Sequence, residues 1–229
     1  MNVEDNIRHV REMMAEAAHR SGRPASAIRL MAVTKTVDDD RILAAIQTGV
    51  EIIGENYVQE AKRKIEKLGK SGEWHLIGRL QTNKAKYAVH LFDMIHSVDR
   101  LELAAELDRR ARAAGRVIPI LIEVNVSGEE SKSGIPLDAA LDLIRLLAPL
   151  ENLSIRGLMT MPPWCDDAEE SRPYFRTLRE LQDKIAREAI PRVEMRELSM
   201  GMTDDYVVAI EEGATIVRIG RGIFGERKG

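Results

Sequence analysis

The chain has 229 residues, of which 44% are hydrophobic and 31% are charged, and its formal net charge at pH 7 is −3. These values are ordinary for a globular protein and give no electrostatic basis for binding nucleic acid or an anionic membrane surface. The single cysteine, Cys165, excludes an intrachain disulfide. Because no apolar run approaches the roughly 20 residues that span a bilayer and residues 1–23 do not resemble a signal peptide, we expect a cytoplasmic protein.

The first predicted element is a long amphipathic helix over residues 3–21, in which Ile7, Val10, Met14 and Ala17 recur at helical spacing. After it, short apolar runs alternate with amphipathic segments rich in Ala, Leu, Glu and Arg. The eight apolar runs are residues 28–34, 51–54, 74–78, 93–98, 118–126, 153–159, 196–200 and 215–220. The amphipathic segments between them include residues 101–115, 137–149 and 167–189.

Eight strand-plus-helix units favour parallel strands joined by right-handed crossovers. The longer runs show little polar alternation, as expected for strands that are covered on both faces. Their number and the chain length predict an α/β fold, a closed (β/α)8 TIM barrel that forms one domain over residues 1–229, with the helix at 3–21 as an addition. An open, doubly wound sheet is the alternative.

In such a barrel the functional site lies at the carboxyl ends of the strands. The last two runs are followed by the loops SMGMTDD (199–205) and GRGIFG (220–225), whose glycines let backbone N–H groups approach an anion closely. GRGIFG matches the dinucleotide-binding pattern formally, but the sequence that follows it is too short for a βαβ unit. A phosphate cradle is the preferred interpretation, and two tight turns are the alternative.

The first apolar run ends in a lysine, Lys35. An unperturbed lysine has a pKa near ~10.4, and burial beside the cationic Arg218 would lower that pKa and make the amine a better nucleophile. A lysine opposite a phosphate cradle suits a phosphorylated aldehyde held as a Schiff base. Pyridoxal 5′-phosphate (PLP) has both groups.

Eight motifs, in matching order along the chain, closely resemble those of the pyridoxal phosphate homeostasis protein family, single-domain relatives of the N-terminal barrel of alanine racemase. The motifs are MAVTKT, GENYVQE, WHLIGRLQTNK, IHSVDR, EVNVSGEESKSG, GLMTM, LSMGMTDDYVVAI and VRIGRGIFGER. They extend from about residue 30 to residue 227, so the resemblance covers nearly the whole chain.

The resemblance implies a PLP site in which Lys35 forms the Schiff base. It implies that Arg218 lies near the pyridine ring, that Asn56 and His75 line the pocket around the ring, and that the phosphate is held by Ser199, Met200, Gly201, Gly220 and Arg221. Family members often carry Thr or Ser where this chain has Arg221, which leaves the role of that side chain open. The histidines show no metal-ligand spacing, so no metal site is expected.

The implied function is that of a cofactor-binding protein in intracellular vitamin B6 and amino-acid homeostasis, without established turnover. We expect a monomer that makes transient contacts with PLP-dependent enzymes. The alternative is a PLP-dependent amino-acid racemase, which needs a base on each face of its substrate. In alanine racemase the second base is a tyrosine from a C-terminal domain, and this sequence ends at Gly229, soon after the last predicted strand. A Schiff-base aldolase of the same fold is a third possibility and predicts no pyridoxal absorbance.

Overall fold

The computed structural model describes residues 2–129 and 132–226. The strands in these ranges are β1 (Arg29–Val33), β2 (Ile52–Glu55), β3 (Glu73–Leu76), β4 (Met94–Val98), β5 (Ile118–Asn125), β6 (Ile135–Pro136), β7 (Leu153–Met159), β8 (Val193–Ser199) and β9 (Ile216–Ile219). The helices are α1 (Val3–Arg20), α2 (Asp39–Gln47), α3 (Val58–Leu68), α4 (Ala85–Leu91), α5 (Leu101–Ala113), α6 (Ala140–Leu147), α7 (Arg172–Arg187), α8 (Tyr206–Glu211) and α9 (Arg221–Phe224).

The strands form a closed parallel barrel. Their order is β4-β3-β2-β1-β9-β8-β7-β5, and the pairing of β4 with β5 closes the ring. The two-residue β6, which the sequence did not predict, pairs with β5 outside this ring. The predicted (β/α)8 barrel is therefore confirmed, and the open-sheet alternative is wrong because β4 and β5 pair with each other.

Two apolar layers stabilise the barrel, one between the strands and the helices and one inside the ring of strands. The residues of β5 contribute to both layers. Ile120, Ile122 and Val124 belong to the large core between the strands and the helices, whereas Leu121 packs inside the barrel with Met94 and Met159. Successive strand residues face opposite sides of the sheet. This explains why the sequence shows continuous apolar runs rather than alternation.

The additional helix α1 agrees with the prediction over residues 3–21. It packs on α2, α8 and α9, with Ile7, Val10 and Met14 buried. The side-chain amide of Asn6 donates a hydrogen bond to the carbonyl oxygen of Ile223 at 2.8 Å. The helix therefore closes the seam between the first and last units of the barrel. Within the described residues, no helix is both long enough and apolar enough to cross a membrane.

Candidate functional site

A cleft of about 330 Å³ opens where β1, β2 and β9 end. Five of the nine predicted site residues line it: Lys35, Asn56, Arg218, Gly220 and Arg221. The other described residues in its lining are Val33, Ile77, Met161, Met202, Thr203, Asp204 and Glu226. The cleft lies at the end of the barrel where this fold places its sites, and its volume is within the range of small-molecule pockets.

The backbone on both sides of Lys35 is held by side chains of α3. The ammonium of Lys64 donates to the carbonyl oxygen of Thr34 at 2.5 Å, and the N–H of Thr36 donates to Glu60 Oε1 at 2.7 Å. Thr36 has a φ of +60°, a left-handed conformation that a β-branched residue rarely adopts. The contact with Glu60 stabilises this turn, which directs the chain away from β1 immediately after the lysine.

Thr34, Glu55 and Lys64, which are fully buried, form a cluster with the partly exposed Glu60, which we call the Lys64 cluster. Lys64 Nζ lies 2.7 Å from both Glu55 Oε1 and Glu60 Oε1, and Thr34 Oγ1 donates to Glu55 Oε1 at 2.5 Å. Burial raises the pKa of Glu55, and the hydrogen bonds from Lys64 and Thr34 oppose that rise. Sequence reasoning missed the cluster, although the spacing of Glu60 and Lys64, one helical turn apart on α3, indicated that they interact.

Arg218 is buried to 3% exposure at the base of the cleft. Its Nη1 donates to Ser199 O at 2.6 Å and to Ser199 Oγ at 2.9 Å, and its Nη2 donates to Thr160 O at 2.8 Å. Burial lowers the pKa of Arg218 to about 10, with Asp205 and Glu123 opposing the shift. The guanidinium is therefore still a cation at neutral pH, and these contacts fix its orientation.

His75 and Ser199 lie deeper in the barrel than the cleft lining. Both are fully buried. The ring of His75 contacts Glu73 and His96, and the hydroxyl of Ser199 contacts His96 and Arg218. Their parts in cofactor binding stay predictions, and the structure places their side chains behind Arg218 rather than among the described residues that line the cleft.

The two predicted phosphate loops meet at the cleft. The N–H of Gly222 donates to Thr203 Oγ1 at 3.2 Å and so joins the loop after β9 to the loop after β8. Gly201 has a φ of +88°, and a Cβ there would lie 2.5 Å from the Cβ of Ala209, so only glycine fits. Met200 and Gly201 shape the loop after β8, while the cleft lining comes from Met202, Thr203 and Asp204 further along it.

The side chain of Arg221 is paired with carboxylates. Its guanidinium hydrogen-bonds Asp204 and lies 3.4 Å from Glu226 Oε1. It remains about half exposed, with 46% of the side chain accessible. The backbone of residue 221 lies in the first turn of α9, so the position contributes to the cleft whichever side chain it carries.

Glu123 is a further buried group that sequence reasoning missed. It follows Leu121 on the inner face of β5 and is 3% exposed. Burial raises its pKa to about 7, Asp99 adds to the rise, and Arg218 and Arg79 oppose it. The run IPILIEVNV contains this glutamate among mostly apolar residues. A charged residue inside an apolar strand was the sequence signal that could have identified it as a buried carboxyl group.

Lys132 is a competing amine, because it also follows a barrel strand. Lys132 lies in the loop after β5, where its backbone N–H donates to Glu129 O at 3.1 Å. It is not among the described residues that line the cleft. The geometry therefore favours Lys35.

The fold and the site define the chain as a barrel of the alanine racemase N-terminal type. The family model described as "Alanine racemase, N-terminal domain" matches residues 2–228. The alanine racemase of Clostridium difficile 630 in complex with cycloserine has a TM-score of 0.80 with 12% identity, covering 100% of this chain and 60% of that one. At this identity the similarity shows the shared fold alone.

Closer relatives narrow the assignment. A protein of Aquifex aeolicus (strain VF5), named pyridoxal phosphate homeostasis protein, is 46% identical over 229 residues, with 100% of both chains covered. The structure of PipY from Synechococcus elongatus PCC7942 with PLP bound has a TM-score of 0.81 at 36% identity, covering 93% of this chain and 100% of that one. The chain belongs to the pyridoxal phosphate homeostasis protein family.

Proposed function

We propose that this chain binds PLP in the cleft, holds the aldehyde as a Schiff base on Lys35, and acts as a cofactor-binding protein of B6 and amino-acid homeostasis rather than as an enzyme. One observation carries the proposal: the amine-bearing end of β1 and the first turn of α9 line the same cleft as Arg218. The names of the relatives and the PLP bound in PipY support it.

The residues present fit each part of the cofactor. The first turn of α9, with Gly220 and Gly222, and the adjacent hydroxyl of Thr203 suit an anion. Asn56 lines the cleft, and its buried Oδ1 has no hydrogen-bond partner within the described part of the chain, so it is free to accept one from a ligand. When bound, PLP supplies an electrophilic carbonyl carbon and an electron-accepting ring.

The attachment of the aldehyde to Lys35 is reversible. The neutral amine of Lys35 would add to the aldehyde carbon, and one water would leave as the carbon–nitrogen double bond forms. Hydrolysis returns both partners. The Lys64 cluster holds the backbone on either side of Lys35, which keeps the amine at the cleft in both states.

The cleft is poorly equipped for racemisation. Among its described lining residues, none is a tyrosine, histidine or cysteine. The carboxylates there, Asp204 and Glu226, are both paired with Arg221. A racemase needs a base on each face of the substrate carbon, and Lys35 is the one lining group suited to that task. An arginine can only donate a hydrogen bond to the ring nitrogen, so Arg218 gives weak support to a carbanion.

An absorption spectrum of purified protein titrated with PLP tests the proposal. The wild type should develop the visible band of a Schiff base, and borohydride should remove the band while fixing the cofactor on the peptide that contains Lys35. Lys35→Ala should lack the band and keep the far-UV circular dichroism of the barrel. Lys132→Ala is the control and should retain the band. A band that survives in Lys35→Ala and disappears in Lys132→Ala overturns the assignment, and a wild type without any band favours the aldolase class.

We also propose that the chain is a monomer that hands PLP to apo-enzymes by transient contact. The reversible bond supports release, and sedimentation of the PLP-loaded protein measures its mass in solution. Activation of an apo-enzyme should be faster from the loaded protein than from an equal concentration of free PLP. Equal rates would contradict direct transfer.

A further inference from the structure

A chain of hydrogen bonds crosses the inside of the barrel from the cleft to its opposite end. Arg218 Nη1 donates to Ser199 Oγ at 2.9 Å, and Ser199 Oγ lies 3.0 Å from His96 Nδ1. His96 Nε2 lies 3.0 Å from His75 Nδ1, and His75 Nε2 lies 3.1 Å from Glu73 Oε2. We call these five residues the relay.

The relay connects two environments. Glu73 is the first residue of β3, at the amino-terminal end of the barrel, and 48% of its side chain is exposed. Ser199, His75 and His96 are fully buried. The relay thus leads from solvent on one side of the barrel, through its buried interior, to the cleft on the other side.

The chemistry at the cleft end fixes the direction of the first hydrogen bond and favours one direction for the next. A guanidinium has donors and no acceptor, so the hydroxyl oxygen of Ser199 must accept from Arg218. The single hydroxyl hydrogen of Ser199 is then available for His96 Nδ1, which can accept it. In that case the hydrogen of the neutral His96 ring lies on Nε2 and is donated to His75.

The other end requires the same direction. An ionised carboxylate has acceptors and no donor, so His75 Nε2 must carry a hydrogen and donate it to Glu73. His75 Nδ1 is then the acceptor that His96 requires. Donation from His75 lowers the pKa of Glu73 to about 2, which keeps the carboxylate ionised. The carboxylate end thus specifies the arrangement, and the cleft end is consistent with it.

Both imidazoles are neutral in this arrangement. Burial lowers the pKa of His96 well below its usual value, and the neighbouring His75 and Arg218 lower it further. Burial also lowers the pKa of His75, against the opposing effect of Glu73. The charged groups that face the two rings are Glu73, Asp93, Arg29 and Arg218.

We propose that the relay is a one-directional hydrogen-bond chain, with both histidines as neutral Nε2–H tautomers, that holds the Arg218 guanidinium in place at the cleft. The expected effect of the relay on PLP binding rests on the proposed function. His75 and His96 are positioning residues, because they act on the cleft through Ser199 and Arg218. A proton on His96 Nδ1 would compete with the hydroxyl hydrogen of Ser199 and turn it toward Arg218, so the relay requires a neutral ring.

The tautomers can be read directly in the protein without cofactor. Long-range ¹H–¹⁵N correlation spectra of histidine-labelled protein distinguish a protonated ring nitrogen from a bare one, and the exposed His9, His19 and His90 provide reference signals. Both His75 and His96 should show Nε2–H and a bare Nδ1 from pH 8 down to about 6, below the ordinary pKa of histidine near ~6.5. An Nδ1–H signal on either ring, or protonation of His96 above pH 6, overturns the relay.

The positioning role is tested on Arg218 itself. His96→Phe removes the acceptor of the Ser199 hydroxyl hydrogen, so hydrogen exchange at the Arg218 guanidinium should accelerate about tenfold or more, as expected when a charge-assisted hydrogen bond weakens. Ser97→Ala is the matched control, because this buried serine follows His96 in β4 but donates to Gly78 O at 2.7 Å, outside the relay. Equal exchange in the two variants overturns the positioning role. If His96→Phe does not fold, Ser199→Ala takes its place in the same measurement.

The same samples separate this inference from the proposed function. Titration with PLP should show weaker binding by about tenfold in His96→Phe than in Ser97→Ala. A wild type that binds no PLP sinks the proposed function but leaves the tautomers measured without cofactor as they are. A wild type that binds PLP, with His96→Phe and Ser97→Ala equal in affinity and in exchange, sinks the relay alone.

Discussion

Lys64 Nζ lies 2.7 Å from Glu55 Oε1, and both side chains have 0% exposure. The same ammonium holds the carbonyl of Thr34, the residue before Lys35. A buried ion pair is not a large net source of stability, but removing one partner leaves an uncompensated charge. The main role of this ion pair is therefore to fix the conformation of the end of β1, which carries the amine of Lys35.

Replacing Lys64 with methionine should destabilise the protein strongly. The variant leaves Glu55 and Glu60 close together without their cation, and the expected loss is about 3–5 kcal/mol in the free energy of unfolding. Urea denaturation measures it. Lys62→Met is the control, since Lys62 is on the same helix and pairs with Glu66 at 3.7 Å with both side chains more than half exposed. The control should lose less than about 1 kcal/mol, and similar losses in the two variants would contradict the structural role of the Lys64 cluster.

Glu123 should make the stability of the barrel depend on pH. Its pKa in the folded protein is raised from 4.5 to about 7. The folded state therefore keeps the proton over a range where the unfolded state has lost it. The contribution to stability is fully present below pH 4.5 and is lost as the pH rises through 7, by up to about 3 kcal/mol.

Glu123→Gln, which stays neutral, should remove that part of the pH dependence. Compared with wild type, the variant should gain stability at pH 8 and change little at pH 4.5, as measured by denaturant unfolding at both values. Glu102→Gln, at an exposed position of α5, is the control and should follow the wild type. A Glu123→Gln curve parallel to the wild type across this range contradicts the raised pKa.

The phosphate should contribute more to binding than the side chain of Arg221. Charge-assisted hydrogen bonds to a buried anion are worth about 1.5–3 kcal/mol each, so pyridoxal without its phosphate should bind more than tenfold more weakly than PLP. Arg221→Ala should lose less than tenfold, because the guanidinium is already paired with Asp204 and the backbone N–H is retained. Equal affinities for pyridoxal and PLP in fluorescence titrations would remove the cradle from the site.

Turnover of amino acids should be at trace level. The loaded protein should exchange the Cα proton of L- and D-alanine with deuterated water far more slowly than the ~1 s⁻¹ that marks an ordinary enzyme. The physical reason is that racemisation needs two bases, and the carboxylates among the described lining residues, Asp204 and Glu226, are both paired with Arg221. Proton NMR and chiral analysis of the product measure the rate, and exchange at 1 s⁻¹ or faster would promote the racemase.

Much of the fold was predictable because the same pattern, an apolar run followed by an amphipathic segment, recurs along the chain. The apolar runs predicted the eight barrel strands, since strands with two covered faces must be apolar on both. The exact limits were harder to predict. β8 begins at Val193, whereas the predicted run begins at residue 196. The prediction missed this beginning because the first half of the strand carries Glu194 and Arg196, which pair with each other at the surface. Charged residues hide a strand whose beginning is partly solvated.

The site was predictable where a residue stands at a strand end and hardly predictable where its partners come from elsewhere. Lys35 and Gly220 could be located because Lys35 directly follows the first apolar run and Gly220 ends the last one. The relay could not, because it joins residues as far apart as His96 and Ser199, 103 positions along the chain. A single sequence indicates which strand carries a polar side chain. It does not indicate which two such side chains meet inside a closed barrel.

The position of α1 sets an order of events during synthesis. Its first residues leave the ribosome early, yet Asn6 finds its partner 217 positions later, at Ile223. At about 5–20 residues per second, that interval lasts about 10–40 s. For this time the apolar face with Ile7, Val10 and Met14 lacks its final contacts with α8 and α9, so the nascent chain keeps this face uncovered until the barrel is nearly complete.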